Sequence, residues 1–138
     1  MSEVLTLQVR NSDEAIAPAT QQAESWLGKN HASADCGYFV SLAIEEVVTN
    51  CIKYGYDDAG ERLISIILSI ADQVLTMVVV DDGHEFNPLT VPPPNMSLEI
   101  EGRPIGGLGI HLLRELADSI SYERCGNTNR LTLTKRIV

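Results

Sequence analysis

Ile44–Gly55, IEEVVTNCIKYG, sets two adjacent carboxylates and an asparagine in a run that is otherwise apolar and helical in period. Take 100° per residue and place Glu46 at the origin. Val40, Ala43, Ile44, Val47 and Cys51 then cluster between about 60° and 160°. Asn50 falls at about 40° and Glu45 at about 260°. Glu46 and Asn50 therefore share one edge of the apolar stripe, one turn apart, and Glu45 faces water. A carboxylate at the edge of a core needs a partner, because burying it unpaired is costly. Glu46 could bond to a neighbouring backbone group or lysine, with Asn50 as a helix-terminal cap. Alternatively, both groups serve a ligand.

Working outward, the helix is predicted from about Cys36 to Tyr54, with Asp35 as its N-cap and Gly55 as its stop. Upstream, VLTLQV (Val4–Val9) reads as a strand, and Pro18 opens a helical pattern that ends near Lys29. Downstream, DDAGE is a turn. Leu63–Ile70 and Val74–Val80 read as two strands joined at Ala71, Asp72 and Gln73. Gly83–Gly107 is poor in periodicity and contains VPPPN, and so long a loop in a compact domain points to function or disorder. IHLLRELADSI (Ile110–Ile120) reads as a third helix. ISYERC and RLTLTKRI close the chain as strands around a Gly126-Asn127 turn. Strands mostly adjacent in sequence predict an α+β fold, a two-layer sandwich in which a mixed, mostly antiparallel sheet carries helices on one face. Residues 1–138 are expected to form a single domain.

Hydrophobic content is 44%, and no apolar run approaches a bilayer span. The N-terminus, MSEVLTLQVRNSDE, has no secretory pattern, so a cytoplasmic location is expected and no membrane association. The net charge of −9 repels phosphate backbones and argues against nucleic acid as a partner. Cys36, Cys51 and Cys125 have neither CxxC nor zinc-finger spacing and are expected to be reduced thiols.

Two further stretches carry chemistry. DDGHEFNP (Asp81–Pro88) leaves the apolar run VLTMVVV, so an aspartate stands at the end of a buried strand, followed by a glycine that lets the backbone turn. D-x-G also marks ordinary turns. IGGLGIHLLRELAD (Ile105–Asp118) runs a glycine cluster into a helix, where close backbone approach and free N–H groups suit an anion. Glycines also precede many helices that bind nothing.

Taken in order, E-x-x-x-N on a helix, D-x-G after a strand, a long Gly/Pro loop and G-x-G before a helix resemble the histidine-kinase-like ATPase (GHKL) superfamily with its Bergerat nucleotide fold. EEVVTNCIKYGY, VVVDDGHEFNP and GGLGIHLLRELADSISY are most similar to the anti-sigma factor serine/threonine kinases of bacterial partner-switching systems. The resemblance covers nearly the whole chain. Neither a GxxxxGK[ST] loop nor an HRD or DFG segment is present.

The resemblance implies ATP and Mg2+ as ligands, with Asn50 as the magnesium ligand and Glu46 as the general base. It implies Asp81 as the reader of adenine's exocyclic amine and Gly83 as the residue that lets the base approach the backbone. It implies Gly107, Leu108 and Gly109 as the lid over the phosphates, and Thr128 as a hydroxyl near the adenine pocket. The implied activity is phosphorylation of a STAS-type anti-anti-sigma protein, with a sigma factor as the second partner and a homodimer as a possible state. The sequence departs from the family pattern at Glu85, where D-x-G-x-G would have its second glycine, and at Tyr54, where a histidine is common. Three other readings stay open. One is a nucleotide-binding partner-switch module with weak or no kinase activity. Another is a sensor-histidine-kinase catalytic domain, which needs a dimerisation helix with a phosphoacceptor histidine. The third is a non-nucleotide α+β domain whose glycines only turn the chain.

Overall fold

The structure, a computed structural model, describes residues 3–56, 60–90 and 107–138. Its regular elements are β1 (Glu3–Arg10), α1 (Ile16–Lys29), α2 (Ala34–Tyr54), β2 (Leu63–Ala71), β3 (Val74–Asp81), α3 (Gly107–Leu116), β4 (Ser119–Cys125) and β5 (Thr128–Arg136). The strands form one sheet in the order β1-β2-β3-β5-β4, and every neighbouring pair is antiparallel.

The alternation in LISIILSIA turns Ile64, Ile66, Leu68 and Ile70 to one face of β2. Leu75, Met77 and Val79 of β3 and Leu131 and Leu133 of β5 join that face. Onto it pack Ala19, Ala23 and Leu27 of α1, Ile110 and Leu113 of α3, and the whole apolar stripe of α2. The result is the expected pair of layers, with the helices on one side of the sheet. Val40, Ala43, Ile44, Val47 and Cys51 are all buried and Glu45 is exposed, as the wheel requires. Full burial of a side chain such as Ile44 contributes about 1.5–3 kcal/mol.

Element boundaries differ from expectation in three places. The N-cap of α2 is Ser33, whose extended backbone lets its Oγ accept the Cys36 N–H at 3.2 Å. Asp35 lies instead in the first turn, where its charge meets the helix dipole. The β2–β3 joint is a two-residue turn, Asp72-Gln73, with φ of 54° and 64°, the geometry that matches the twist of paired strands. Helix α3 starts at Gly107, so the G-L-G run is its first turn rather than a loop before it, and it stops at Leu116. The stop is set by the sheet, because the Asp118 N–H donates to the Thr134 carbonyl at 2.8 Å. Much of the loop read over Gly83–Gly107, and the centre of the DDAGE turn, lie outside the described residues. Among the described residues no helix is long and apolar enough to cross a membrane.

Candidate active site

A cleft opens where the C-terminal half of α2 meets the ends of β3 and β5. It encloses about 450 Å³, part of it open to solvent, between Val47, Asn50 and Cys51 on the helix and Val79, Asp81, Asn129 and Leu131 on the strands. Gly55, His84, Phe86, Pro88 and Tyr122 complete its walls. An apolar slot with a few convergent polar groups is the usual form of a small-ligand site.

Asp81 ends an apolar strand, so its carboxylate emerges at the edge of the core. Its Oδ1 accepts the Gly83 N–H at 2.9 Å and the Asn129 side-chain amide at 3.0 Å. Its Oδ2 accepts the Cys51 thiol, with Sγ at 3.5 Å. Burial, the Asp81 charge and that bond all push the Cys51 thiol well up, so it stays protonated and donates. The turn after Asp81 is pinned to the end of α2, since the His84 N–H donates to the Gly55 carbonyl at 2.8 Å. Gly83 backs onto the same carbonyl, and a Cβ there would stand 2.6 Å from it. The close approach that Gly83 permits is therefore to Gly55. Gly83 borders a neighbouring polar recess with Tyr56, Arg62, Glu85 and Arg124, not the cleft itself.

Asn129 is the residue that sequence reasoning missed. It faces Asp81 across the β3–β5 ladder and is only 7% exposed. Its amide also donates to the His84 carbonyl at 2.7 Å, while its Oδ1 accepts from the Phe86 N–H, the Tyr122 hydroxyl and the Arg124 guanidinium. Arg124 in turn donates to the Gly83 carbonyl at 2.8 Å. Thr128, the expected pocket hydroxyl, donates instead to the Cys125 carbonyl at 2.9 Å and does not line the cleft. A signal for Asn129 was present: Leu131 and Leu133 point inward, and a period of two carries residue 129 to the same face.

Asn50 is 7% exposed and lies inside α2, whose C-cap is Gly55, so it is no helix-terminal cap. Its side chain faces the cleft and has no hydrogen-bond partner among the described residues. Such an amide is expensive to bury for structure alone and well suited to a ligand or cation. Glu46, one turn earlier, is half-buried. Burial first, and then the charge of Glu45, hold its carboxyl above the ordinary range, while Lys53 opposes them. Its carboxyl group lies directly against the Gly109 backbone in the first turn of α3, filling the space a side chain there would need. Asn50 and Asp81 thus line one cleft, while Glu46 lies one turn before Asn50 against the start of α3 and is not among the cleft's lining residues. Tyr54 stacks on Phe86 with ring centroids 5.4 Å apart, and Glu85 is exposed. All three cysteines are free.

The family model described as the histidine kinase-like ATPase domain matches residues 9–135. The chain belongs to this family. It is similar to the serine/threonine-protein kinase BtrW of Bordetella bronchiseptica, 24% identical over 133 residues, which cover 96% of this chain and 94% of that protein. It is also similar to the serine-protein kinase RsbW of Bacillus mycoides, 34% identical over 86 residues, 59% of this chain and 52% of that protein. The chain thus spans about half the length of that Bacillus relative. Among solved structures, the RsbU and RsbW domains of a Mycobacterium tuberculosis protein align with a TM-score of 0.70 at 19% identity, covering 98% of this chain and 32% of that one. The Acinetobacter baumannii histidine kinase AdeS aligns with a TM-score of 0.50 at 13% identity, covering 98% and 68%. These two likenesses carry the fold.

Proposed function

We propose that the chain is an ATP-dependent serine kinase of the anti-sigma type. On this reading it phosphorylates a STAS-type anti-anti-sigma protein and holds a sigma factor when that partner is absent. The observation that carries the reading is the pair of groups one turn apart on α2, a half-buried carboxylate against α3 and a buried amide that has no hydrogen-bond partner among the described residues, with a strand-end aspartate across the cleft from that amide. The kinase names of the Bordetella and Bacillus relatives support it.

Asp81 receives the amino group of adenine between the apolar walls. Asn129 takes the role that the family resemblance offered to Thr128, because its amide holds Asp81 in place. Gly107, Leu108 and Gly109 start α3 beside Glu46, where helix N–H groups favour the phosphate charge. No lysine or arginine lines the cleft among the described residues, and a divalent cation would supply positive charge there. The side-chain oxygen of Asn50 would hold Mg2+, a hard cation that prefers oxygen donors. Mg2+ bound there would neutralise phosphate oxygens as the phosphoryl group moves. Glu46 takes or orients the proton of the attacking serine hydroxyl, and a raised carboxyl pKa suits that task. Gly83 supports this site indirectly, by seating the Asp81 turn on Gly55. Glu85, exposed beside the polar recess, leaves the cleft clear, so the missing second glycine does not obstruct it.

Phosphate transfer from Mg-ATP to a purified STAS-type partner tests the reading. Transfer that Glu46→Gln abolishes and Glu45→Gln retains supports it. A protein that binds ATP yet transfers to no such partner leaves the partner-switch module without kinase activity as the better account.

A further inference from the structure

Asp81 has two carboxylate oxygens, and they are held differently. Oδ1 is bonded by the Gly83 N–H and by Asn129. Asn129 cannot readily let go, because the same amide bonds the His84 carbonyl and its oxygen serves Phe86, Tyr122 and Arg124. Oδ2 has one donor among the described residues, the thiol of Cys51. A thiol is a weak donor, and an N–H to a carboxylate is a strong one. Cys51 is 8% exposed and lines the cleft beside Asn50, so a ligand that reaches Asp81 meets it.

We infer that Cys51 is a specificity residue that stands in for the ligand's amino group: it bonds Asp81 Oδ2 when no nucleotide is bound and surrenders that oxygen to the amine, while Asn129 keeps Oδ1 closed. A purine that carries an exocyclic amine at this point displaces the thiol, and a purine without one does not. The inference rests on the adenine-nucleotide reading of the cleft.

The direct readout is the S–H stretch of Cys51, isolated as the Raman difference between the unmutated protein and Cys51→Ala. Mg-ATP should move the band to higher wavenumber as the bond to Asp81 is lost. Mg-purine riboside triphosphate, which lacks the 6-amino group, should leave it in place. Affinities add a second readout. Cys51→Ser installs a stronger competing donor and should weaken ATP binding by about fivefold, and Cys51→Ala should bind ATP at least as tightly as the unmutated protein. If ATP raises the melting temperature but leaves the S–H band unmoved, the inference fails and the nucleotide reading stands. A loss of about tenfold or more in Cys51→Ala also overturns it, by making Cys51 a contact to the base. If ATP moves neither the band nor the melting temperature, both readings fall together.

Discussion

The carboxyl group of Glu46 rests on the backbone of Gly109, in the space that a Cβ at residue 109 would occupy. This contact joins the middle of α2 to the first turn of α3 and so ties the proposed base to the start of the proposed lid. Gly109→Ala must push the carboxylate aside. Glu46 is the end of a flexible side chain, so the move costs little stability, and alanine favours the helix by up to about 1 kcal/mol. Misplacing the base by about 1 Å costs on the order of a hundredfold in rate. The variant should therefore melt close to the unmutated protein, bind ATP, and lose most phosphate transfer. Melting curves beside a transfer time course check this.

Glu46 also gives a pH signature. Its folded-state carboxyl is raised above the ordinary value, so the folded protein holds that proton more tightly than the unfolded chain. As pH rises from the ordinary carboxyl range through the raised one, the unfolded chain gives up the proton first, and stability falls across that window. Glu46→Gln removes the loss. It should melt above the unmutated protein at neutral pH and level with it below the carboxyl range. Transfer by the unmutated protein should rise with pH through the same window, and in Glu46→Gln it should drop by about 100-fold or more. Glu45→Gln removes a charge that raises Glu46, so its rate should begin to climb at lower pH.

Asn129→Ala and Thr128→Ala separate the residue the structure brings to the cleft from the one expected there. Removing Asn129 takes one hydrogen bond each from the Phe86 N–H, the His84 carbonyl and the Asp81 carboxylate, a cost of about 1–3 kcal/mol with a clear loss of ATP affinity. Thr128→Ala loses one turn bond, worth about 1 kcal/mol, and should leave ATP affinity alone. Denaturant melts and nucleotide titrations of the two variants decide it. Equal ATP affinity in both would remove Asn129 from the site.

Asn50→Ala distinguishes a ligand group from a structural one. A buried amide with no partner among the described residues contributes nothing to the fold by bonding, so the variant should be as stable as the unmutated protein or slightly more so. Magnesium-dependent ATP binding should disappear. A loss of stability with binding intact would mean that Asn50 supports the helix and not the ligand.

The parts of this molecule that repeat along the chain were legible in it. The 3.6-residue stripe of α2 placed Glu46 and Asn50 on one edge and Glu45 outside, and the apolar run before Asp81 marked a strand end. Ser33 and Asp35 both suit an N-cap, and only the Ser33 backbone conformation chose between them. The end of α3 was misplaced because the hydrogen bond that stops it comes from β5, which no local pattern in Leu112–Ile120 foretells. Asn129 was legible in the alternation of β5 but hidden behind Thr128, the hydroxyl suggested by analogy. The Cys51–Asp81 bond joins residues 30 apart in sequence and appears only when α2 packs on β3.

Titration of the unmutated protein with Mg-ATP and Mg-GTP, read as melting temperature, tests the central claim most directly. The cleft should bind ATP, and mass action should raise the melting temperature with ATP concentration, only when Mg2+ is present. GTP should have little effect, because guanine presents a carbonyl where Asp81 requires an amine. No shift at millimolar Mg-ATP, or equal shifts with both nucleotides, would contradict the account.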